Sequence, residues 1–232
     1  MSGSAALLVL SLGTILEALV VVCAVRRKLF RRYFFLNLYM ILCAAASLGR
    51  WQILQQEGVK SLAYRYFYFY SDAVLTIVLF FALISLYVYV FEEMKLERYF
   101  RIGAVTLLGG TCWFSYAVVS QSSHKMLTYF AFELSQNLYF VGLVLTYVLW
   151  AAILKLRETR TLLVQLVLSL GVYFGASAAT YSVSNLHPTF FSYVHNMMPI
   201  MGCLLPLSWA YAFWRVSDDD RLTPAHLSVV PR

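Results

Sequence analysis

The stretch YFYFYSDAVLTIVLFFALISLYVYVF, residues 66–91, carries a single charged side chain, Asp72. Wound as a helix at about 1.5 Å per residue, it is longer than the roughly 30 Å of hydrocarbon in a bilayer. It reads as a membrane-crossing helix, and its first residues show where it enters. In AYRYFYFYSD, residues 63–72, helical spacing sets Tyr64 beside Tyr68 and Tyr66 beside Tyr70, a ring of phenols of the kind found at a membrane interface. Tyr68 and Asp72 share one face, with Arg65 above them.

Working outward, comparable apolar runs recur at about 5–25, 33–49, 102–119, 127–154, 161–181 and 190–214. Each is near the 17 to 25 residues that a span requires, the fifth being longer and so tilted or protruding. The alternating segments of about ten residues that build a membrane barrel are absent. The expected fold is all-α: a polytopic, seven-transmembrane-helix bundle occupying 1–232 as a single domain, with 215–232 as a short tail.

Composition agrees. Hydrophobic residues make up 61% and charged residues 12%, about half the charged share of a soluble domain. Cys23, Cys43, Cys112 and Cys203 fall inside apolar runs without paired or metal-like spacing and read as small buried hydrophobes. The net charge of +7 is explained by position. Arg26, Arg27, Lys28, Arg31, Arg32, Lys95, Arg98, Arg101, Lys155, Arg157, Arg160, Arg215, Arg221 and Arg232 fall on one side of the seven runs. Only Arg50, Lys60, Arg65 and Lys125 fall on the other. The positive-inside rule then places the N-terminus outside and the C-terminus in the cytoplasm. The basic excess meets anionic lipid headgroups, and nucleic acid is not an expected partner. No positive residue precedes the first run and five follow it, so an uncleaved first helix is expected. The connection at 50–65 and the tail are too short for a kinase, cyclase or ATPase module, and no internal repeat of the transporter kind is visible.

Ionisable groups inside a bilayer are costly and ask for a reason. Counting depth along each run puts Asp72 and Glu133 about 9 Å below the outer surface, with His195 and Asn196 at about 8 to 9 Å. Three faces gather there: Tyr68, Asp72 and Thr76; Tyr129, Glu133, Gln136 and Asn137; and Ser192, His195, Asn196 and Pro199. If they meet, they line an outward-facing polar pocket. The alternatives are interhelical hydrogen bonding, which knits spans together, a ligand, ion or proton site, and lipid-headgroup contact. Glu17 stands about 18 Å deep with no cation at its level. It is expected to be neutral and hydrogen-bonded to a neighbouring helix, or to serve as a proton site. Pro199 and Pro206 in the last run each delete a backbone hydrogen bond and supply hinges or packing shape.

Catalytic signatures are lacking. His124, His187, His195 and His226 form no H-x-x-x-H or H-E-x-x-H, so no metal site is assigned, and there is no G-x-S-x-G or lysine in the last run. The inner halves 83–91, 143–154 and 204–214 are nearly all apolar, which disfavours a conducting path.

The stretch LEALVVVCAVRRKLFRRYFFLNLYM (16–40), followed by AYRYFYFYSD, resembles small bacterial seven-helix integral membrane proteins and is distantly similar to the seven-helix input modules of bacterial membrane sensor kinases and cyclases. That resemblance implies a bacterial cytoplasmic (inner) membrane and no chemistry of its own. The expected function is a non-enzymatic receptor-like or accessory subunit that binds a ligand or a partner membrane protein at the outer pocket and acts through other membrane subunits or a separate signalling protein. The alternative is a proton-coupled small-molecule transporter using Glu17 and Glu133, and the third reading is an intramembrane hydrolase.

Overall fold

The computed structural model describes the backbone of residues 3–58, 61–94, 96–120, 126–156, 160–186 and 191–216, and their side chains except at 3–10, 93, 126–128, 184–186 and 191–201. Within these residues the chain is all-helical, with seven α-helices: α1 (Gly3–Arg26), α2 (Phe34–Glu57), α3 (Leu62–Val90), α4 (Glu97–Ser120), α5 (Met126–Leu156), α6 (Thr161–Leu186) and α7 (Phe191–Arg215), with one 3₁₀ turn at Glu92–Met94 before α4. By length and composition five of them are able to cross a membrane: α2, α3, α4, Tyr129–Leu156 of α5 and Thr161–Val183 of α6.

The helix boundaries have local causes. Ser61 caps α3, its hydroxyl accepting from the backbone N–H of Tyr64 at 3.0 Å, which satisfies one of the first free amides of the helix. The second apolar run stops at Gly49, yet α2 continues to Glu57. The added residues RWQILQQE are ordinary helix formers with no breaker among them. Termination waits for Gly58, whose φ of 78° is a left-handed value natural to glycine. Arg50 therefore stands inside a helix and not in a connection.

The end of α1 is a Schellman turn. Leu29 N–H donates to Ala24 O at 2.9 Å and Lys28 N–H to Val25 O at 3.0 Å. The left-handed residue at its centre is Lys28, with φ 59°, where glycine would be free of strain. Lys28→Gly is expected to stabilise the protein by about 1 kcal/mol, read as a higher thermal midpoint in detergent; an unchanged or lower midpoint would show that this turn is unstrained.

The helices pack as a ring in which α1 meets α2, α2 meets α3, α3 meets α5, α5 meets α6, α6 meets α7 and α7 closes back on α1. Outside the ring, α4 leans on α5 and α3, and α3 also touches α6 across the interior. Phe80, Phe174, Trp209 and Phe213 are fully buried between helices. Close approach of α5 and α6 depends on Gly142, where an added Cβ would lie 2.4 to 2.7 Å from the Phe174 ring. The outward faces carry Ile15, Val105, Trp113, Val144, Tyr147 and Leu154, all exposed. Large apolar side chains exposed in that number are unsuited to water and normal against lipid chains.

One end of the bundle is tied by arginines. Arg27 donates from Nη1 to Val216 O at 2.9 Å and from Nη2 to Trp214 O, capping α7 with a side chain from the end of α1. Arg160 donates to Tyr89 O at 2.7 Å, joining the start of α6 to the end of α3. Arg32 stacks over the Tyr89 ring at 5.9 Å.

Candidate functional site inside the bundle

The interior polar cluster is built around Arg50. Its Nε and Nη2 donate to Ser71 Oγ at 3.1 and 2.7 Å, and Nη2 also reaches Tyr68 O at 3.4 Å. The guanidinium carbon lies 4.3 Å from the centroid of the Tyr68 ring, a distance at which the negative π face attracts a cation. A guanidinium stays protonated in proteins, so this is a fixed positive charge held between α2 and α3. Asp72 on α3 and Glu17 on α1 both lie within its electrostatic reach.

Asp72 is held from several sides. Its Oδ2 accepts from Tyr181 OH of α6 at 3.2 Å, and Thr76 Oγ1 donates to its backbone carbonyl at 2.8 Å. The buried Ser135 hydroxyl of α5 stands beside the same carboxyl but makes no hydrogen bond of good geometry. Tyr181 stacks on Tyr139 with centroids 5.5 Å apart and meets Phe132 edge-on at 5.4 Å. Tyr139 in turn meets Tyr173 at 6.3 Å, and Tyr173 is 3.5 Å from the hydroxyl of Tyr39. Five tyrosines from α2, α3, α5 and α6 thus surround one Arg and one Asp. Phenols suit that place because each buries a ring and keeps one hydroxyl for the network.

Of the residues that the sequence points to, Tyr68 and Asp72 belong to this cluster. Glu17 joins it through Arg50, so the carboxyl has a cation near it that the apolar runs did not reveal. Glu17 Oε2 is buried and makes no hydrogen bond. On α5 the inward positions are Ala131, Leu134, Ser135, Leu138 and Tyr139, a different face from the one that carries Tyr129, Glu133, Gln136 and Asn137. Tyr129 is exposed. Glu133 and Gln136 are half-buried, and Glu133 makes no hydrogen bond or ion pair with a described residue. Asn137 turns to α4, donating to Ser115 Oγ at 3.0 Å. The side chains of Ser192, His195 and Asn196 lie outside the described residues. Among the described residues no three His, Cys, Asp or Glu gather to hold a metal.

Two grooves open on the outer surface of the bundle. One of about 600 Å³ lies between α4 and α5, lined by Gly103, Gly110, Thr111, Phe114, Asn137 and Phe140. The other, of about 420 Å³, lies between α1 and α7 at the arginine-rich end.

Tyr39, Arg50, Ser71, Ser135, Tyr139, Tyr173 and Tyr181 are the cluster members that counting along the chain misses. A signal for Arg50 existed, because nothing between Gly49 and Gly58 breaks a helix. The inward face of α5 had none, since in lipid the packed face is no more apolar than the exposed one.

The fold defines an all-helical protein of the multi-pass membrane class. Comparison of the chain with protein-family models, with curated proteins and with solved structures finds no match.

Proposed function

We propose that the chain is a seven-span, non-enzymatic membrane subunit, receptor-like or accessory, with its N-terminus outside and its C-terminus in the cytoplasm of a bacterial inner membrane. The observation that carries the reading is the cluster of Arg50, Asp72 and the surrounding tyrosines near the end where α2 stops and α3 starts. Four helices meet on it, so a ligand or partner that engages this end of the bundle changes the packing of all four. A half-buried guanidinium gives such a junction discrete alternatives, because a charge taken from its hydrogen-bond acceptors must find others or return.

The orientation is supported by the distribution of cations. Arg26, Arg27, Lys28, Arg31, Arg32, Arg98, Arg101, Lys155, Arg160 and Arg215 all stand at or beside the helix ends that Arg27 and Arg160 tie together. At the opposite end the described cations are Arg50 and Arg65, and Arg50 is turned inward. The positive-inside rule makes the tied end cytoplasmic. The packing of α1 and α7 against five helices able to cross a membrane supports a reading of seven spans.

The test is purification of the full chain in a gentle detergent, with mass spectrometry of what accompanies it. A membrane protein or signalling protein present in stoichiometric amount, and lost in Asp72→Asn, supports the subunit reading. Uptake of a solute by proteoliposomes that vanishes in Glu17→Gln overturns it in favour of a proton-coupled transporter. That second reading has its own observation, the buried and unbonded Glu17 Oε2. One guanidinium can neutralise only one carboxylate, so electrical neutrality of the cluster would require a proton on Glu17 or on Asp72.

A further inference from the structure

The groove between α1 and α7 has a character that the interior cluster does not share. Leu19 and Val22 of α1 form one wall and Phe213 and Trp214 of α7 the other, with Arg26 and Arg27 at its mouth. Phe213 is fully buried and makes the floor, while Leu19, Val22 and Trp214 are 38%, 50% and 63% exposed. An apolar trough therefore runs along the lipid-facing surface and ends at two guanidinium groups.

Among the described residues neither arginine is consumed by its surroundings. Arg27 uses two N–H groups on the last carbonyls of α7 and keeps three of its five donors. Arg26 makes no hydrogen bond or ion pair with a described residue. Cations near helix C-termini usually answer the partial negative charge there, but the carbonyls at the end of α1 are satisfied by its own Schellman turn. That turn also fixes the direction in which Arg26 and Arg27 leave the helix. Among the described residues no carboxylate lines the groove, and Lys28 and Arg215 stand next in sequence to its walls, adding positive field.

The geometry points to a binding site for one anionic phospholipid, its phosphate accepting from Arg26 and the remaining donors of Arg27 and one acyl chain lying along Leu19, Val22 and Trp214. Charge complementarity selects the occupant. A neutral apolar helix from a partner would leave two guanidiniums uncompensated at the mouth, and a free phosphate would leave the trough against which the chain packs unused. Trp214, exposed and at the end of α7, suits an interfacial aromatic, whose ring packs on the chain and whose N–H can meet the headgroup. The site stands independently of the receptor reading, because it requires only that these helix ends lie at a membrane surface.

Native mass spectrometry of the full chain, reconstituted from phosphatidylcholine vesicles with or without phosphatidylglycerol, tests it. One phosphatidylglycerol is expected to remain on each protein in preference to phosphatidylcholine. Arg26→Ala is expected to lower that retention by about fivefold, the worth of one cation at the membrane surface, while Arg26→Lys keeps most of it. Val22→Trp fills the trough without touching a cation and is expected to lower retention as well. Both positions are exposed, and an unchanged helical circular dichroism spectrum checks each variant. Equal retention of the two lipids, or retention unaffected by Arg26→Ala, overturns the site. So does loss with Arg26→Ala but not with Val22→Trp, which would mean diffuse headgroup attraction. Displacement by inorganic phosphate as readily as by lipid overturns the acyl-chain contact.

Discussion

Arg50→Met is expected to destabilise the protein by about 1.5–3 kcal/mol, the worth of hydrogen bonds made by a charged group. The variant loses both hydrogen bonds to Ser71 and the stacking on Tyr68, and it leaves Asp72 and Glu17 without their shared cation. Arg50→Lys should recover little, since a single ammonium cannot reproduce two donors directed at Ser71 Oγ and a planar contact with the ring. The double variant Arg50→Met with Asp72→Asn should be clearly more stable than Arg50→Met alone, because the carboxylate that needed the cation is gone while Tyr181 keeps an acceptor. Thermal unfolding of the wild type, Arg50→Met, Asp72→Asn and the double variant in detergent, followed by tryptophan fluorescence, gives the coupling. Simple additivity would show that Arg50 and Asp72 do not depend on one another, and the cluster would then have no pair at its centre.

The second large effect is steric. Gly142→Ala places a methyl group 2.4 to 2.7 Å from three ring carbons of Phe174, a ring with no exposed surface and therefore no room to swing away. Overpacking of this kind costs about 1–3 kcal/mol. Gly110→Ala on the peripheral helix α4 is the internal control. Nothing lies within 4 Å of its added Cβ, so the gain in helix propensity, up to about 1 kcal/mol, should appear unopposed. Phe174→Leu in the Gly142→Ala background should restore part of the loss. If the two glycine variants shift the midpoint alike, α5 and α6 do not approach as closely as the structure has them.

The two glycines also show how differently features of this chain can be read. Gly110 sits in a run that any apolar count finds, and helix α4 follows from that run alone. Nothing near Gly142 in sequence says that Phe174 will press on it, because the two meet only when α5 and α6 pack. The same division holds for the polar residues. Asp72 and Tyr68 were visible as polar groups at helical spacing in an apolar run, and they do face the interior. On α5 the polar residues Glu133, Gln136 and Asn137 drew attention to a face that the structure turns elsewhere, while Ser135 takes the place beside Asp72. In water an inward face announces itself by being apolar, but lipid removes that contrast. A small hydroxyl that fits between helices then goes unmarked.

Arg50 is a further case. By position along the chain it is one cation of a connection; as part of an uninterrupted helix it is the centre of the cluster. The continuity from Gly49 to Gly58 was legible, but the direction of the side chain was not, since it depends on where α3 lies against α2.

By itself, then, the sequence determined that this chain is helical and multi-pass. Hydrocarbon leaves a backbone no hydrogen-bond partner but itself, and every apolar run of sufficient length must respond in the same way. The uneven placement of arginine and lysine was equally plain, being a property of order along the chain. Tertiary structure alone decided which side chains meet: Arg50 with Tyr68 and Ser71, Asp72 with Tyr181, Arg27 with the end of α7, and Gly142 with Phe174. Those pairings rest on the rotation of each helix about its axis, which is set by contacts between residues tens to more than a hundred positions apart in the chain.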